Sequence, residues 1–329
     1  MIRYTALLLL FVSSIQAQQV FHKKTKLMGS RFDLYVVSKD SVDAEKYFDI
    51  AVSEILRIEK KISSWDKNSE TSRINKYAGI KPVKVSKELF DLIKRSVVIS
   101  ELTEGAFDIT YASADRIWKF DGTMKAMPSK EDIKKAVSKV GYKKIILNEE
   151  NQTVFLSEEG MKIGFGAIGK GYAADKTKEL LISKGVKAGI INASGDMNTW
   201  GKQPDGKEWT VAVTNPFNKN KAFALLPITN GAVVTSGNYE KYVIFDGKRY
   251  THIIDPRTGY PATGVISATV FAPKAELADA LATAAFVTGT DVGINLINQL
   301  PNTECIIIDD KGEIYTSDNI KINNDEKTK

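Results

Sequence analysis

The sequence predicts an α+β fold, and two patterns in it favour that class. Apolar residues recur every three or four positions over residues 40–62, 86–103 and 275–287, which is the periodicity of a helix with a buried face. Residues 145–163 instead form a meander of three short strand-like runs that turn-like segments separate. Helices and successive hairpins in separate parts of one chain predict mixed or antiparallel sheets with helices on their outer faces.

The composition is that of an ordinary globular protein and excludes several classes. Of 329 residues, 43% are hydrophobic and 26% are charged. The formal charge of +6 is spread through Lys-rich stretches such as residues 130–144, where no aromatic residues alternate with the basic ones. A solvated basic surface therefore explains the charge better than a nucleic-acid interface. A single cysteine, Cys305, and two histidines exclude a structural zinc site, and the apolar neighbours of Cys305 predict a buried strand.

The N-terminus has the pattern of an export signal. Arg3 precedes the apolar residues 6–12, and small residues follow, where cleavage is expected. This apolar run is too short to anchor the chain in a bilayer. We expect residues 1–19 to be a signal peptide, residues 20–320 the folded domain and residues 321–329 a polar tail. The mature protein is then exported and periplasmic, with no lipid anchor and no integral membrane segment.

The first half of the mature chain is expected to begin with a strand and a long helix. Residues 32–37 alternate as a strand, and residues 40–62 form the longest helical pattern. Trp65 follows in a polar loop outside any periodic face, which favours stacking on a planar ligand over a place in the core. Residues 86–103 form a second helix, which Gly105 closes as a C-cap.

Two polar features lie between that helix and the meander. Asp108 stands between Phe107 and Ile109, so its carboxylate is either exposed on a strand or buried and hydrogen-bonded. Ser129 and Asp132 have the spacing of a capping box that opens a third helix.

Residues 164–175 form a glycine loop that opens onto a helix over residues 171–184. Three glycines within six residues precede Lys170, and such a loop exposes N–H groups and the positive end of a helix dipole to phosphate. Gly164, Gly166 and Gly169 also fit the dinucleotide-binding expression, whereas Gly171 stands where a nucleotide-triphosphate loop needs Ser or Thr. The strand at residues 189–192 leaves the dinucleotide alternative open, although the preceding meander is not a strand–helix–strand unit.

The second half carries further polar turns. Residues 193–197 form a tight turn with a carboxylate, and residues 210–213 alternate as a strand that Asn215-Pro216 ends. Residues 235–238 are a small polar loop suited to phosphate or sugar, or else a hairpin turn. Residues 251–261 are the densest polar segment, with a histidine, an Asp, an Arg and two prolines that stiffen it, which indicates more than a connector.

The helix over residues 275–287 carries a polar pair on an otherwise apolar surface. Asp279 and Thr283 are four residues apart and therefore share one face among Ala, Leu and Phe side chains. If buried, these groups need partners, and oxygen ligands of this kind suit Mg²⁺ or Ca²⁺. The alternative is an exposed Asp beside a structural Thr.

Taken together, these motifs resemble the ApbE family of FAD:protein FMN transferases over about residues 25–317. The matching segments follow the family's order and are Met28-Gly29-Ser30, residues 63–75, 105–110, 166–175, 192–196, 201–209, 235–237, 252–261 and 278–283. The resemblance implies a single elongated α+β domain, with FAD in a cleft between its halves. It also implies a reaction in which Mg²⁺ and FAD bind, FMN passes to a Thr or Ser hydroxyl of a partner electron-transfer protein, and AMP leaves.

The family also implies roles for individual residues. Asp279, Thr283 and the backbone carbonyl of Ala167 match the metal ligands. The expected FAD-binding residues are Met28, Trp65, Phe107, Asp108, Gly166, Lys170, Gly195, Asp196, Thr235, Ser236, Gly237 and His252. Trp65 stands where the family often has a Tyr that stacks on the isoalloxazine ring. The expected catalytic residues are His252, Asp255 and Lys170.

Two departures from the family pattern affect this assignment. Many members carry Asp where this chain has Gly164, which changes the surroundings of the metal. Residues 263–269 faintly echo the acceptor motif of flavinylated partners but lack its upstream Asp and read as a strand, so no self-modification is expected.

Three other functions compete with FMN transfer. An FAD pyrophosphatase uses the same residues with water in place of the acceptor hydroxyl. A non-enzymatic flavin-binding protein leaves bound FAD unchanged in the presence of Mg²⁺. A dinucleotide-dependent oxidoreductase consumes reduced nicotinamide.

Overall fold

The fold combines helices and antiparallel strands in a computed structural model that describes residues 18–121, 123–214, 222–237 and 242–320. Its helices are α1 Ser41–Ile62, α2 Glu70–Lys76, α3 Lys87–Leu102, α4 Lys130–Ala136, α5 Gly169–Ser183, α6 Ala275–Thr288 and α7 Thr290–Asn298. Its strands are β1 Gln19–Leu27, β2 Ser30–Ser38, β3 Val83–Lys84, β4 Ile145–Asn148, β5 Thr153–Leu156, β6 Gly189–Ala193, β7 Asp196–Trp200, β8 Trp209–Thr214, β9 Ala222–Ile228, β10 Gly231–Gly237, β11 Tyr242–Phe245, β12 Lys248–Thr251, β13 Val265–Ala272, β14 Glu304–Asp309 and β15 Ile314–Thr316.

Parts of the sequence-based prediction lie outside the described residues. These parts are nearly all of the predicted signal peptide, the polar tail after residue 320, and the strand end at Asn215-Pro216. Within the described ranges, no helix has the length and apolar character needed to cross a bilayer.

One sheet of eight strands organises the fold, in the order β1-β2-β6-β7-β10-β13-β14-β15. Every neighbouring pair in it is antiparallel. Strands β3, β5 and β4 form a second sheet, and β8–β9 and β11–β12 are separate hairpins. The α+β prediction is therefore confirmed. The dinucleotide alternative is wrong, because β5 and β6, which flank α5, lie in different sheets.

Helices α5 and α6 lie between two hydrophobic clusters. The first cluster joins them to α1 and the large sheet, and it includes Phe32, Ile55 and Phe286. The second joins them to α3 and the small sheet, and it includes Leu89 and Val154. Since α6 contributes side chains to both clusters, it is apolar nearly all round, as expected for a buried helix. This position makes its two polar residues, Asp279 and Thr283, unusual.

The predicted helix boundaries agree closely with the structure. The Asp40 side chain caps α1 by accepting a hydrogen bond from the Asp43 N–H group at 2.8 Å. Ser86 and Ser129 cap α3 and α4 in the same way, and Gly105 follows α3 with a φ of +80°. Cys305 is fully buried in β14, as its neighbours predict.

Three local predictions are wrong or incomplete. Residues 161–163 form no strand, because the Asn75 side chain occupies the place of a neighbouring strand and pairs with both backbone groups of Ile163. Residues 235–237 are neither a loop nor a turn, since they end strand β10 and pair with β13. Helix α2 has no counterpart in the prediction because its seven residues are mostly polar.

Candidate active site

The N-termini of α5 and α6 meet at the centre of the site. A Cβ atom at Gly171 would overlap the carbonyl oxygen of Ala275, so only glycine permits this approach. The Gly171 N–H group donates to Oδ2 of Asp279 at 3.2 Å. This contact brings the glycine loop and the buried Asp279 side chain together.

A second buried carboxylate, that of Asp196, lies beside this contact. The hairpin turn between β6 and β7 places Asp196 there, with Ser194 and Gly195 at φ values of 60° and 106°. The Lys170 ammonium group, on the first turn of α5, forms an ion pair with Asp196. The site thus holds two buried carboxylates and one ammonium group.

Burial and mutual repulsion act on these charges. Burial and the neighbouring Asp196 charge raise the pKa of Asp279 well above its usual range. Burial also raises the pKa of Asp196, although Lys170 opposes this. Burial alone would lower the pKa of Lys170, but the charges of Asp196 and Asp279 raise it. A further cation would therefore stabilise the ionised site.

Two of the predicted metal ligands lie on α6, and the third lies in the loop before α5. Thr283 lies one turn after Asp279, and its Oγ1 atom is 3.3 Å from Oγ of Ser236 at the end of β10. Ala167 is half-buried in the loop immediately before α5. Thr235 is hydrogen-bonded at 2.8 Å to Thr269 on β13.

These donors fit Mg²⁺ better than a metal that needs many side-chain ligands. Among the described residues, no group of three or more His, Cys, Asp or Glu side chains is placed to hold a metal. One carboxylate, one hydroxyl and one carbonyl nevertheless suit Mg²⁺, which keeps several waters and takes substrate phosphate oxygens as its remaining ligands. The buried Asp279 carboxylate, which meets the Gly171 N–H group at the start of α5, is the observation that supports this fit.

The glycine loop leaves room for a ligand at one position and is tightly packed at another. No atom lies within 4 Å of the place where a Cβ atom at Gly166 would stand. A Cβ atom at Gly164 would lie 3.1 Å from that of Ala112, and the Gly164 N–H donates to Ile109. Gly164 therefore allows close packing against Ala112. Met28 lies against this loop, with its methyl group 3.8 Å from a Cβ built at Gly169.

Aromatic and basic side chains are exposed at the polar loop after α1. Trp65 is 75% exposed, and the Arg116 guanidinium lies 4.7 Å from the centre of its ring. The prediction that Trp65 is outside the core is confirmed. Two residues after Arg116, Trp118 donates a hydrogen bond from Nε1 to the Gly259 carbonyl. This bond links the segment around Arg116 to the loop of residues 252–261.

The loop of residues 252–261 is held by its own backbone and by one ion pair. The Asp255 N–H group donates to Tyr260 at 2.9 Å, and that of Gly259 donates to Asp255 at 2.8 Å. Both carboxylate oxygens of Asp255 accept hydrogen bonds from Arg257. His252 precedes this ion pair and is exposed. The Asp255 carboxylate therefore stabilises the loop.

Two predicted FAD-binding residues face the protein interior. The Asp108 carboxylate accepts hydrogen bonds from Thr110 N–H, Thr110 Oγ1 and Tyr142 N–H at 2.7, 2.6 and 2.8 Å. Burial raises the pKa of Asp108. Phe107 is 2% exposed and belongs to the second hydrophobic cluster. These two side chains therefore support the loop from the protein interior.

The sequence analysis assigned no role to Asp175 or Asn198, which lie beside the site. Asp175 on α5 is buried and accepts hydrogen bonds from the first two N–H groups of α6. Asn198 on β7 donates to the same carboxylate. One feature of the sequence could have pointed to Asp175. It lies four residues after Gly171, just as Asp279 lies four residues after Ala275.

Known proteins similar to this chain share one family. Residues 28–307 match the ApbE family. An FAD:protein FMN transferase of Klebsiella pneumoniae is 32% identical over 301 residues, which cover 91% of this chain and 92% of that protein. An FAD:protein FMN transferase of Treponema pallidum is 33% identical over 73% of this chain and 71% of its own length. The crystal structure of the ApbE protein from Thermotoga maritima superposes with a TM-score of 0.82 at 32% identity, covering 91% of this chain and 97% of that one.

Proposed function

The chain belongs to the ApbE family, and from that membership we propose that it is an Mg²⁺-dependent FAD:protein FMN transferase acting on a Thr or Ser hydroxyl of an electron-transfer protein, with release of AMP. The observation that carries the proposal is the buried Asp279 carboxylate, which meets the glycine loop beside the Lys170–Asp196 ion pair. This arrangement supports binding of a diphosphate together with a divalent cation.

The chemistry needs charge neutralisation and alignment more than covalent participation by the protein. The acceptor oxygen forms a bond to the FMN phosphorus, the bond from that phosphorus to the AMP oxygen breaks, and AMP leaves with the electron pair. Asp279, Thr283 and the carbonyl of Ala167 would hold Mg²⁺, which would supply positive charge that neutralises the diphosphate. His252 accepts the proton of the acceptor hydroxyl.

The remaining residues bind and orient FAD. The N–H groups at the start of α5 face the diphosphate, and Gly166 leaves the space for it. Trp65 stacks on the isoalloxazine ring, with its exposed indole supporting this role. We also propose that the N-terminal signal directs export of the protein to the periplasm.

Mass spectrometry tests the transfer directly. The protein lacking residues 1–19 is incubated with FAD, Mg²⁺ and a protein domain that bears an acceptor Thr. We expect the acceptor to gain the mass of one FMN group, with AMP in equal amount, and Asp279→Ala to abolish the gain. Asp318→Ala is a matched control, because Asp318 is an exposed residue outside the site.

The same experiment separates the alternatives. Free FMN and AMP without an acceptor adduct would identify an FAD pyrophosphatase. FAD that remains intact under every metal condition would identify a flavin-binding protein and overturn the proposed transfer.

A further inference from the structure

Helices α5 and α6 each supply a carboxylate that accepts hydrogen bonds from N–H groups at the N-terminus of the other helix. Asp175 of α5 accepts hydrogen bonds from the N–H groups of Ala275 and Glu276 at 2.8 and 3.0 Å. Asp279 of α6 accepts one from the N–H group of Gly171 at 3.2 Å. Each carboxylate lies four residues after the point where its own helix touches the other. The two helix N-termini therefore fix each other's position.

Helix α6 depends on Asp175 because it has no cap of its own. Its N-cap residue, Lys274, has the extended backbone of a capping position, with φ −127° and ψ 137°, but makes no side-chain capping hydrogen bond. Asp175 supplies that cap from another helix, and its negative charge also suits the positive end of the α6 dipole. Any shift of α6 along α5 would break these hydrogen bonds.

Asp175 is itself held in one orientation. Asn198 donates from Nδ2 to Asp175, and its Oδ1 accepts a hydrogen bond from Nζ of Lys178 at 2.8 Å. Lys178 also donates to the carbonyl of Thr199 at 2.8 Å. The cap is thus anchored to β7, the strand that begins with Asp196.

We propose that Asp175 is a positioning residue for the metal site, an inference that rests on the proposed function. By capping α6 from α5, it sets the height and rotation of α6, so that Asp279 and Thr283 face the glycine loop. Residues that orient a metal ligand in this way change metal affinity by about 10–100-fold when removed.

The test separates positioning from simple helix capping. Asp175→Ala removes the cap, and Lys274→Ser in the same protein returns a local cap without the link to α5. Mn²⁺ binding to the protein without FAD is measured from the electron paramagnetic resonance signal of the free ion, and Tm is measured without metal. Asp40→Ala, which removes a carboxylate cap from the N-terminus of helix α1, is the matched control.

We expect Asp175→Ala to weaken Mn²⁺ binding by about tenfold or more and to lower Tm by about 5 °C. Adding Lys274→Ser should recover much of the Tm but not the Mn²⁺ affinity. Asp40→Ala should lower Tm and leave Mn²⁺ binding unchanged. If Asp175→Ala does not fold, Asp175→Asn replaces it, because it keeps the side-chain shape and one acceptor oxygen. We expect Asp175→Asn to weaken Mn²⁺ binding and lower Tm by smaller amounts, with Lys274→Ser again recovering only the Tm.

Other results would overturn the inference. Mn²⁺ affinity within twofold of wild type in the Asp175 variants, or affinity that returns together with Tm in the Lys274→Ser protein, would reduce Asp175 to a structural cap. A wild-type protein that binds no Mn²⁺ would also overturn it. A wild-type protein that binds Mn²⁺ but transfers no FMN would contradict only the proposed function.

Discussion

Lys170 and Asp196 form an ion pair inside the candidate site, where the Asp196 side chain is 4% exposed and that of Lys170 is 29% exposed. The ammonium charge is therefore matched by one carboxylate before any substrate binds. No ammonium or guanidinium group of the described residues forms an ion pair with the remaining carboxylate, that of Asp279, which instead accepts a hydrogen bond from a backbone N–H group. A divalent cation bound with FAD would supply the missing positive charge.

The first prediction concerns the contribution of this ion pair to stability. Lys170→Met should destabilise the metal-free protein by about 3 kcal/mol, because it leaves Asp196 buried without its partner. Lys170→Met with Asp196→Asn should recover most of that loss, since the buried negative charge is then removed as well. Urea unfolding in the presence of a chelator measures both. Equal losses in the single and double variants would show that an unpaired Asp196 charge is not the source of the cost.

Gly171 makes a second prediction, which concerns the contact of α5 with α6. Gly171→Ala should lower the free energy of unfolding by about 2–3 kcal/mol, because its Cβ would overlap the Ala275 carbonyl and push the helices apart. Gly231→Ala is the control, since the atoms nearest to its Cβ are 3.7 Å away. It should change stability by less than about 1 kcal/mol. A Gly171 variant as stable as the control would mean that the helices separate at no cost.

Sequence analysis reaches a physical limit at this contact. Asp279 and Thr283 were predicted because polar residues four apart on an apolar helix stand out locally. Asp175 was not, because its partners are the N–H groups of residues 100 positions away in the chain. A pattern within a short stretch of sequence therefore cannot reveal these partners.

Strand β10 illustrates a second limit. Thr235, Ser236 and Gly237 have the composition of a turn, yet the backbone of β13 pairs with all three. Pairing with a distant strand overrides local preference there. The opposite happens at Ile163, whose local sequence is typical of a strand. No strand forms there, because the Asn75 side chain makes the hydrogen bonds to its backbone that a neighbouring strand would make. Helices whose caps and apolar faces both lie within one segment, such as α1, were predicted to within a residue.

Glu88 makes a third prediction, which concerns acid stability. Arg57, followed by Lys61 and Tyr172, donates hydrogen bonds to this carboxylate and lowers its pKa to about 2 from a usual 4.5. A depressed pKa means that the stabilisation is present above the unfolded pKa and is lost as pH falls from about 4.5 towards 2. Glu88→Gln should therefore cost about 1–2 kcal/mol at pH 7, after allowance for solvent screening, and almost nothing near pH 2.

Urea titrations at several pH values measure this difference. Glu149→Gln is the matched control, because Glu149 pairs with Lys94 at the surface with 70% of its side chain exposed. It should change stability by less than about 0.5 kcal/mol at every pH. A cost for Glu88→Gln that stays constant from pH 7 to pH 2 would contradict the assignment of the effect to this carboxylate.

His252 and Asp255 make the last prediction, which separates the proton acceptor from the loop support. His252→Gly should lower kcat for FMN transfer by about 10²–10⁴-fold with little change in KM for FAD, because only the proton acceptor is lost. Added imidazole should restore part of the rate. Asp255→Asn should instead lower Tm and raise KM, since it weakens the ion pair with Arg257 that holds the loop.

Steady-state kinetics with and without imidazole, together with Tm, distinguish these outcomes. Arg257→Gln serves as the matched comparison for Asp255→Asn, because it breaks the same ion pair from the other side and should reproduce the same change in KM. If Asp255→Asn instead lowers kcat as far as His252→Gly does, while Arg257→Gln does not, the carboxylate takes the proton and the roles of the two residues are exchanged. The double hydrogen bond from Arg257 argues against that exchange, because both carboxylate oxygens of Asp255 are already engaged.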